Sequence, residues 1–125
     1  MAIAGMGTDI VEIARIEQQL ARTNRLAKRI LTENEFARFS SHNFPARFLA
    51  KRFAAKEAAV KAAGLGIGNG VSFTDVEVHN LESGQPYLAF YGKMQQWCEQ
   101  QGVTRSHISI SDEQAYAVAT VILEI

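Results

Sequence analysis

Small and apolar side chains alternate over residues 2–8 and then stop near Asp9, the period-two signature of a short first strand with a functional residue at its end. From about Glu12 the period lengthens. Ile13, Ile16 and Leu20 fall on one side of an amphipathic helix, while Arg15 and Arg22 share another face. Thr23-Asn24 is a candidate break in this helical run, which resumes from Arg25 to Leu31. Thr32-Glu33-Asn34-Glu35 has the spacing of a capping box and opens a short helix through about Phe39. After the polar stretch from Ser40 to Asn43, Pro45 suits the first turn of an alanine-rich helix, because its missing N–H has no helical partner there. That helix is expected to run to Ala63 and to end at Gly64, where a left-handed cap is easily accommodated.

Gly64, Gly66, Gly68 and Gly70 occupy alternate positions of the segment that follows, which reads as a loop. The period then returns to two. Val71, Phe73, Val76 and Val78 predict a strand with a bulge near Thr74-Asp75. Asn80 to Gly84 supplies a turn, Pro86 to Tyr91 a partner strand, and residues 93–101 a helix stopped by Gly102. His107 to Ser111 and Ala115 to Ile125 predict a closing hairpin around Asp112-Glu113-Gln114. With no internal repeat or low-complexity linker, the order reads β-α-α-α-β-β-α-β-β. This is the pattern of an α+β fold, a single compact domain over 1–125 with a mostly antiparallel sheet and packed helices.

Composition narrows the classes. A chain of 125 residues with 47% hydrophobic and 21% charged positions is ordinary for a soluble domain, and no apolar run is long enough to span a bilayer. The expectation is therefore no membrane association. The start of the chain has no export pattern, so a cytoplasmic location is expected. Cys98 is the one cysteine, which excludes an internal disulfide and a cysteine-rich zinc site. Zero formal net charge argues against a general nucleic-acid binder. The charge is nevertheless uneven: residues 1–70 carry eleven Lys and Arg against six Asp and Glu, and residues 71–125 carry two against seven. The basic half is expected to face an anion, whether a phosphorylated ligand, an acidic protein or another subunit's acidic half.

Each residue of a helix advances about 100° around its axis, so Phe53, Glu57 and Lys61 share a stripe with Ala50, Ala54 and Val60 beside them. Lys51, Arg52 and Lys56 point around the other side. By spacing alone, Glu57 and Lys61 form either an i, i+4 salt bridge or a metal ligand one turn from a phosphate-binding lysine. Asp9 is either an acid favoured at a helix start or a second ligand. Two carboxylates suffice for Mg²⁺, which dehydrates reluctantly and completes its octahedron with waters and substrate phosphates. The glycine loop fits neither GxGxxG nor GxxxxGK, and it follows a helix where those motifs precede one, so no nucleotide fingerprint is present. It is a flexible connection or a place where backbone approaches a large polar ligand. His107, Ser109 and Ser111 share one face of a strand, without the spacing of a catalytic triad or, with His42 and His79, of a zinc site.

Taken together, Gly-x-Gly-Thr-Asp-Ile-Val-Glu-Ile-x-Arg-Ile from Gly5, Arg-Phe-x-x-Lys-Glu-Ala-x-x-Lys-Ala from Arg52, Gly84-Gln85-Pro86 and the closing His-Ile-Ser-Ile-Ser resemble the small class of 4′-phosphopantetheinyl transferases, the holo-[acyl-carrier-protein] synthases. The resemblance runs from end to end. It implies a magnesium-dependent enzyme that moves the phosphopantetheine arm of coenzyme A onto a serine of acyl carrier protein, releasing adenosine 3′,5′-bisphosphate and supporting fatty acid biosynthesis. It implies Asp9 and Glu57 as metal ligands and Lys61 as the cation on the diphosphate or the developing charge. The serine proton would leave to Glu57 or to a metal-bound water. Arg52, Phe53, Gly64, Gly66, Pro86, His107 and Ser109 become expected coenzyme A contacts. Arg15, Arg22, Arg25, Lys28 and Arg29 become the expected docking face for the acidic carrier. The family likeness also implies a homotrimer in which His107 and Ser109 reach a neighbour's ligand. Asp112 departs from a common histidine of the family and receives no role.

Two other readings predict different behaviour. A noncatalytic module that binds coenzyme A or an acidic protein would bind without metal-dependent turnover. A structural oligomer held by its charge halves would show no nucleotide affinity and would assemble in a salt-sensitive way.

Overall fold

In the computed structural model, which describes residues 1–125, strand β1 (Ile3–Glu12) lies against a long helix, α4 (Pro45–Ala62), and this contact organises the rest. Between them come α1 (Ile13–Arg22), α2 (Arg25–Ile30) and α3 (Glu33–Ser40). After α4 follow β2 (Val76–Asn80), β3 (Pro86–Phe90), α5 (Gly92–Gln101), β4 (Arg105–Asp112) and β5 (Tyr116–Glu124). One three-stranded sheet has the order β1-β5-β4, and β2 and β3 form a two-stranded ribbon; every pairing is antiparallel. The buried apolar side chains form one continuous cluster, so this α+β domain has a single core. No helix is long and apolar enough to cross a membrane.

Helix α4 can lie so close to β1 because both surfaces are small. Gly5 and Gly7 face it from the strand, and Ala54, Ala55, Ala58, Ala59 and Ala62 are buried along the helix. A Cβ on Gly7 would overlap the carbonyl oxygen of Ala58 and stand 2.6 Å from the amide nitrogen of Ala62; one on Gly5 would overlap the carbonyl oxygen of Ala62. Alternation along β1 then carries Asp9 and Val11 to the same helix-facing side. Met6, Thr8 and Ile10 point to the other face.

Three expectations are corrected. Strand β1 does not stop near Asp9 but continues to Glu12, with Asp9 opposite Ala119, so Asp9 is neither at a strand end nor at a helix start. The helical run over residues 13–31, counted once in the expected order, is divided at the candidate break Thr23-Asn24 into two helices, which makes four before β2. Thr23 is extended, with φ −169° and ψ 158°, and its Oγ1 accepts from the Arg25 amide at 3.3 Å, a local bond that competes with helix continuation. The strand expected from Val71 begins only at Val76. Phe73–Asp75 instead form a 3₁₀ turn in which Asp75 Oδ2 accepts from the Ser72 amide at 3.2 Å, and this turn takes the place of the bulge. The capping box held as read: Thr32 Oγ1 accepts from the Glu35 amide, and Glu35 Oε1 accepts from the Thr32 amide at 3.0 Å.

Candidate active site

The Lys61 amino group donates to Asp9 Oδ1 at 2.9 Å and to the Thr8 carbonyl at 3.2 Å, so residues far apart in sequence meet across the β1–α4 contact. Lys61 is half exposed, while the Asp9 side chain retains only 16% of its accessible surface. Glu57 lies one turn earlier on α4. Partial burial, then the negative charge of Asp9, push its carboxyl above the usual carboxylate range; Lys61 and Arg29 act in the opposite direction. Two carboxylates near enough for the charge of Asp9 to act on Glu57 form a donor set suited to a hard divalent cation. The i, i+4 spacing of Glu57 and Lys61 thus does not produce the simple surface pair. Lys61 pairs with Asp9.

Phe53, one turn before Glu57, is half-buried against Phe73 with ring centroids 5.6 Å apart. The Arg29 guanidinium caps Phe73 at 5.4 Å from its centroid. Arg29 was read only as part of a docking face, and the structure also brings it to the margin of the acidic pair. Arg15, Arg22, Arg25, Lys28 and Arg29 are all exposed, and Arg22, Arg25 and Arg29 line one hollow of about 370 Å³ between α1 and α2.

The other expected coenzyme A contacts occupy separate places. Gly64, at φ +69°, turns the chain at the end of α4, and Gly66 is exposed just beyond it. Arg52 points away from Glu57 and is buried. Its Nε lies 3.5 Å from Glu35 Oε2, Nη2 donates to Asn80 Oδ1 at 3.2 Å, and the guanidinium rests 4.4 Å from the centre of the Phe48 ring. It forms part of the wall of a cleft of about 370 Å³ with Arg38, Lys51, Asn80 and Gly84. Pro86 starts β3 opposite Asn80, near that cleft's rim. His107 and Ser109 lie on the outward face of the three-stranded sheet, with His107 Nε2 3.3 Å from Glu124 Oε1. Within one chain they are on the opposite side of the sheet from Asp9.

Several residues that matter escaped the sequence reading. Lys56, expected with Lys51 and Arg52 around the other side of α4 from Glu57, is fully buried: its amino group donates to Ile30 O at 2.6 Å, Glu35 Oε1 at 2.6 Å and Phe73 O at 3.1 Å. Burial pulls its pKa down, with Glu35 opposing. The available signal was a second cation, Arg52, at i−4 on the same stripe, with a capping-box acid upstream to pair with both. Asp112, left without a role, accepts from Arg47 at 2.8 Å and pairs with Lys51 at 3.1 Å, tying the end of β4 to α4. Burial raises its carboxyl, but the hydrogen bonds from Arg47 and Lys51 outweigh this and hold it below the usual range. A hollow of about 440 Å³ between α1 and the start of α4 contains none of the expected site residues.

A family model described as the 4′-phosphopantetheinyl transferase superfamily matches residues 5–121. The chain is 71% identical over 124 residues to a holo-[acyl-carrier-protein] synthase of Pseudoalteromonas atlantica, covering 99% of this chain and 98% of that one. Among solved structures, it resembles the holo-[acyl-carrier-protein] synthase of Neisseria meningitidis with a TM-score of 0.90 and 40% identity, covering 98% of this chain and 99% of the other. It also resembles the enzyme of Bacillus anthracis in complex with CoA (3′,5′-ADP), with a TM-score of 0.80, 41% identity, and coverage of 98% and 97%.

Proposed function

Because the chain belongs to the 4′-phosphopantetheinyl transferase superfamily, we propose that it transfers the 4′-phosphopantetheine arm of coenzyme A to a serine of apo acyl carrier protein. The observation that carries this reading is the 2.9 Å contact between Lys61 and Asp9, with Glu57 one helical turn away. The serine oxygen attacks the β-phosphorus of the coenzyme A diphosphate. A phosphorus–oxygen bond forms to serine as the bridging phosphorus–oxygen bond breaks, and adenosine 3′,5′-bisphosphate leaves. Asp9 and Glu57 would hold Mg²⁺, which would supply charge neutralisation at the diphosphate when bound. Lys61, already half exposed, offers its ammonium to the phosphate oxygens as a compact cation. The serine proton leaves to Glu57 or to a water at the site.

The remaining assignments follow from placement. Arg52 offers a cation to an anionic group of coenzyme A at its cleft, with Gly84 and Pro86 at the rim; Phe53, Gly64 and Gly66 lie toward the Glu57 end of α4. Arg15, Arg22, Arg25, Lys28 and Arg29 dock the acidic carrier. His107 and Ser109 serve the site of a neighbouring copy in a homotrimer. The outer sheet face supports this assembly, since Met6 and Ile10 are 67% and 63% exposed there, in rows with Ile122 and Val118. A cytoplasmic location agrees with the single, buried, unpaired Cys98.

Release of adenosine 3′,5′-bisphosphate from coenzyme A tests the reading. Release that requires both apo carrier protein and a divalent cation supports it; coenzyme A binding with no release supports a noncatalytic module instead.

A further inference from the structure

Glu35 has more partners than a helix cap needs. A capping-box acid requires one acceptor for one amide at the helix surface. Here the carboxylate is 2% exposed and gathers four groups from three elements. Oε1 accepts from the Thr32 amide at 3.0 Å and from Lys56 Nζ at 2.6 Å; Oε2 accepts from the Val78 amide at 3.0 Å and faces Arg52 Nε at 3.5 Å. Arg52 Nε is buried without a hydrogen bond, so its contact with Glu35 is an ion pair only. One carboxylate therefore serves two buried cations a helical turn apart, and a buried charge is tolerated only when paired. Without that carboxylate, Lys56 and Arg52 repel one another. Lys56 keeps two carbonyl acceptors, whereas Arg52 is left with one hydrogen bond, to Asn80, which Arg38 also approaches at 3.4 Å, and with the face of the Phe48 ring. Arg52 therefore has the fewer hydrogen bonds to hold its guanidinium at the wall of the cleft.

We propose that Glu35 is a positioning residue, which fixes the Arg52 guanidinium at the wall of the basic cleft for an anionic group of coenzyme A without touching the substrate itself. The inference rests on the reading of Arg52 as a coenzyme A contact.

Steady-state kinetics on the full protein test it with Glu35→Gln, Arg52→Gln and the double variant. Glu35→Gln is expected to raise KM for coenzyme A about fivefold or more while KM for carrier protein stays within about twofold. On the Arg52→Gln background, the same substitution changes KM for coenzyme A by less than about twofold, because its effect passes through Arg52. An unchanged KM for coenzyme A in folded Glu35→Gln, or an equal rise on both backgrounds, overturns the proposal. An Arg52→Gln variant with normal KM for coenzyme A fails the underlying reading of Arg52 instead. If Glu35→Gln does not fold, Glu35→Leu/Lys56→Met removes the buried pair with its charges matched, and the comparison with and without Arg52→Gln is read in the same way.

Discussion

Gly7 and Ala58 meet backbone to backbone: a Cβ on Gly7 would overlap the Ala58 carbonyl oxygen. This approach brings Asp9, two residues along the strand, within 2.9 Å of Lys61, three residues along the helix. Gly7→Ala must push β1 and α4 apart, and overpacking of this kind costs about 3 kcal/mol. The expected outcome is a loss of that size in urea denaturation, together with loss of turnover in the protein that remains folded. A variant with wild-type stability would contradict the packing described.

Glu57→Gln separates activity from stability. The folded carboxyl is raised above its ordinary value of 4.5, chiefly by burial, so the ionised form is disfavoured in the fold. That cost is present above the raised pKa and is relieved as pH falls through it; a neutral glutamine removes it. Thermal melts of the metal-free variant at pH 7 should therefore give a Tm equal to or above that of the parent. Turnover should fall more than about 100-fold, since under the proposed mechanism the variant loses one of the two charges that would hold the metal. A large fall in Tm would mean that Glu57 is a structural residue.

Asp112→Asn should lose stability in a pH-dependent way. The folded carboxyl lies below 3.8, so its contribution is present above the unfolded value and is lost as pH falls through the folded one. With Arg47, Lys51 and Asp112 all partly exposed, the loss at pH 7 is roughly 0.5–1 kcal/mol. Denaturation curves of parent and variant should converge as pH falls well below 3.8. A constant gap at every pH would show that the ion pairs are not its source.

Charge reversal at Arg22 and Arg25 probes the proposed docking face. The pair should raise KM for carrier protein by about tenfold or more at low salt, with KM for coenzyme A unchanged and the difference shrinking as salt screens the surface. Equal effects on both substrates would place these arginines elsewhere in the reaction.

The sequence made the helices and hairpin legible wherever local chemistry decides them. The capping box at Thr32, Pro45 at the start of α4 and Gly102 at the end of α5 all act within a turn or two. The length of β1 was not legible, because its second half is held by pairing with β5, more than 100 residues away. The motifs put Asp9, Glu57 and Lys61 together, and Asp9 and Lys61 do meet, but the reason lies in Gly5 and Gly7, whose role is visible only with α4 in place. Lys56 shows the opposite failure: periodicity set it apart from the Glu57 stripe but did not show that its own side is buried against Glu35. The spread of Arg52, Gly64 and His107 over three places was likewise hidden, since helical and strand periodicity fix a residue's face but not what that face meets.

The most direct measurement is the intact mass of apo acyl carrier protein after incubation with this protein and coenzyme A, with Mg²⁺ present or chelated. The expected result is a gain of one phosphopantetheine arm with Mg²⁺ and none with chelator. An unmodified carrier in both arms, from protein shown to bind coenzyme A, would contradict the account of Asp9, Glu57 and Lys61 as a transferase site.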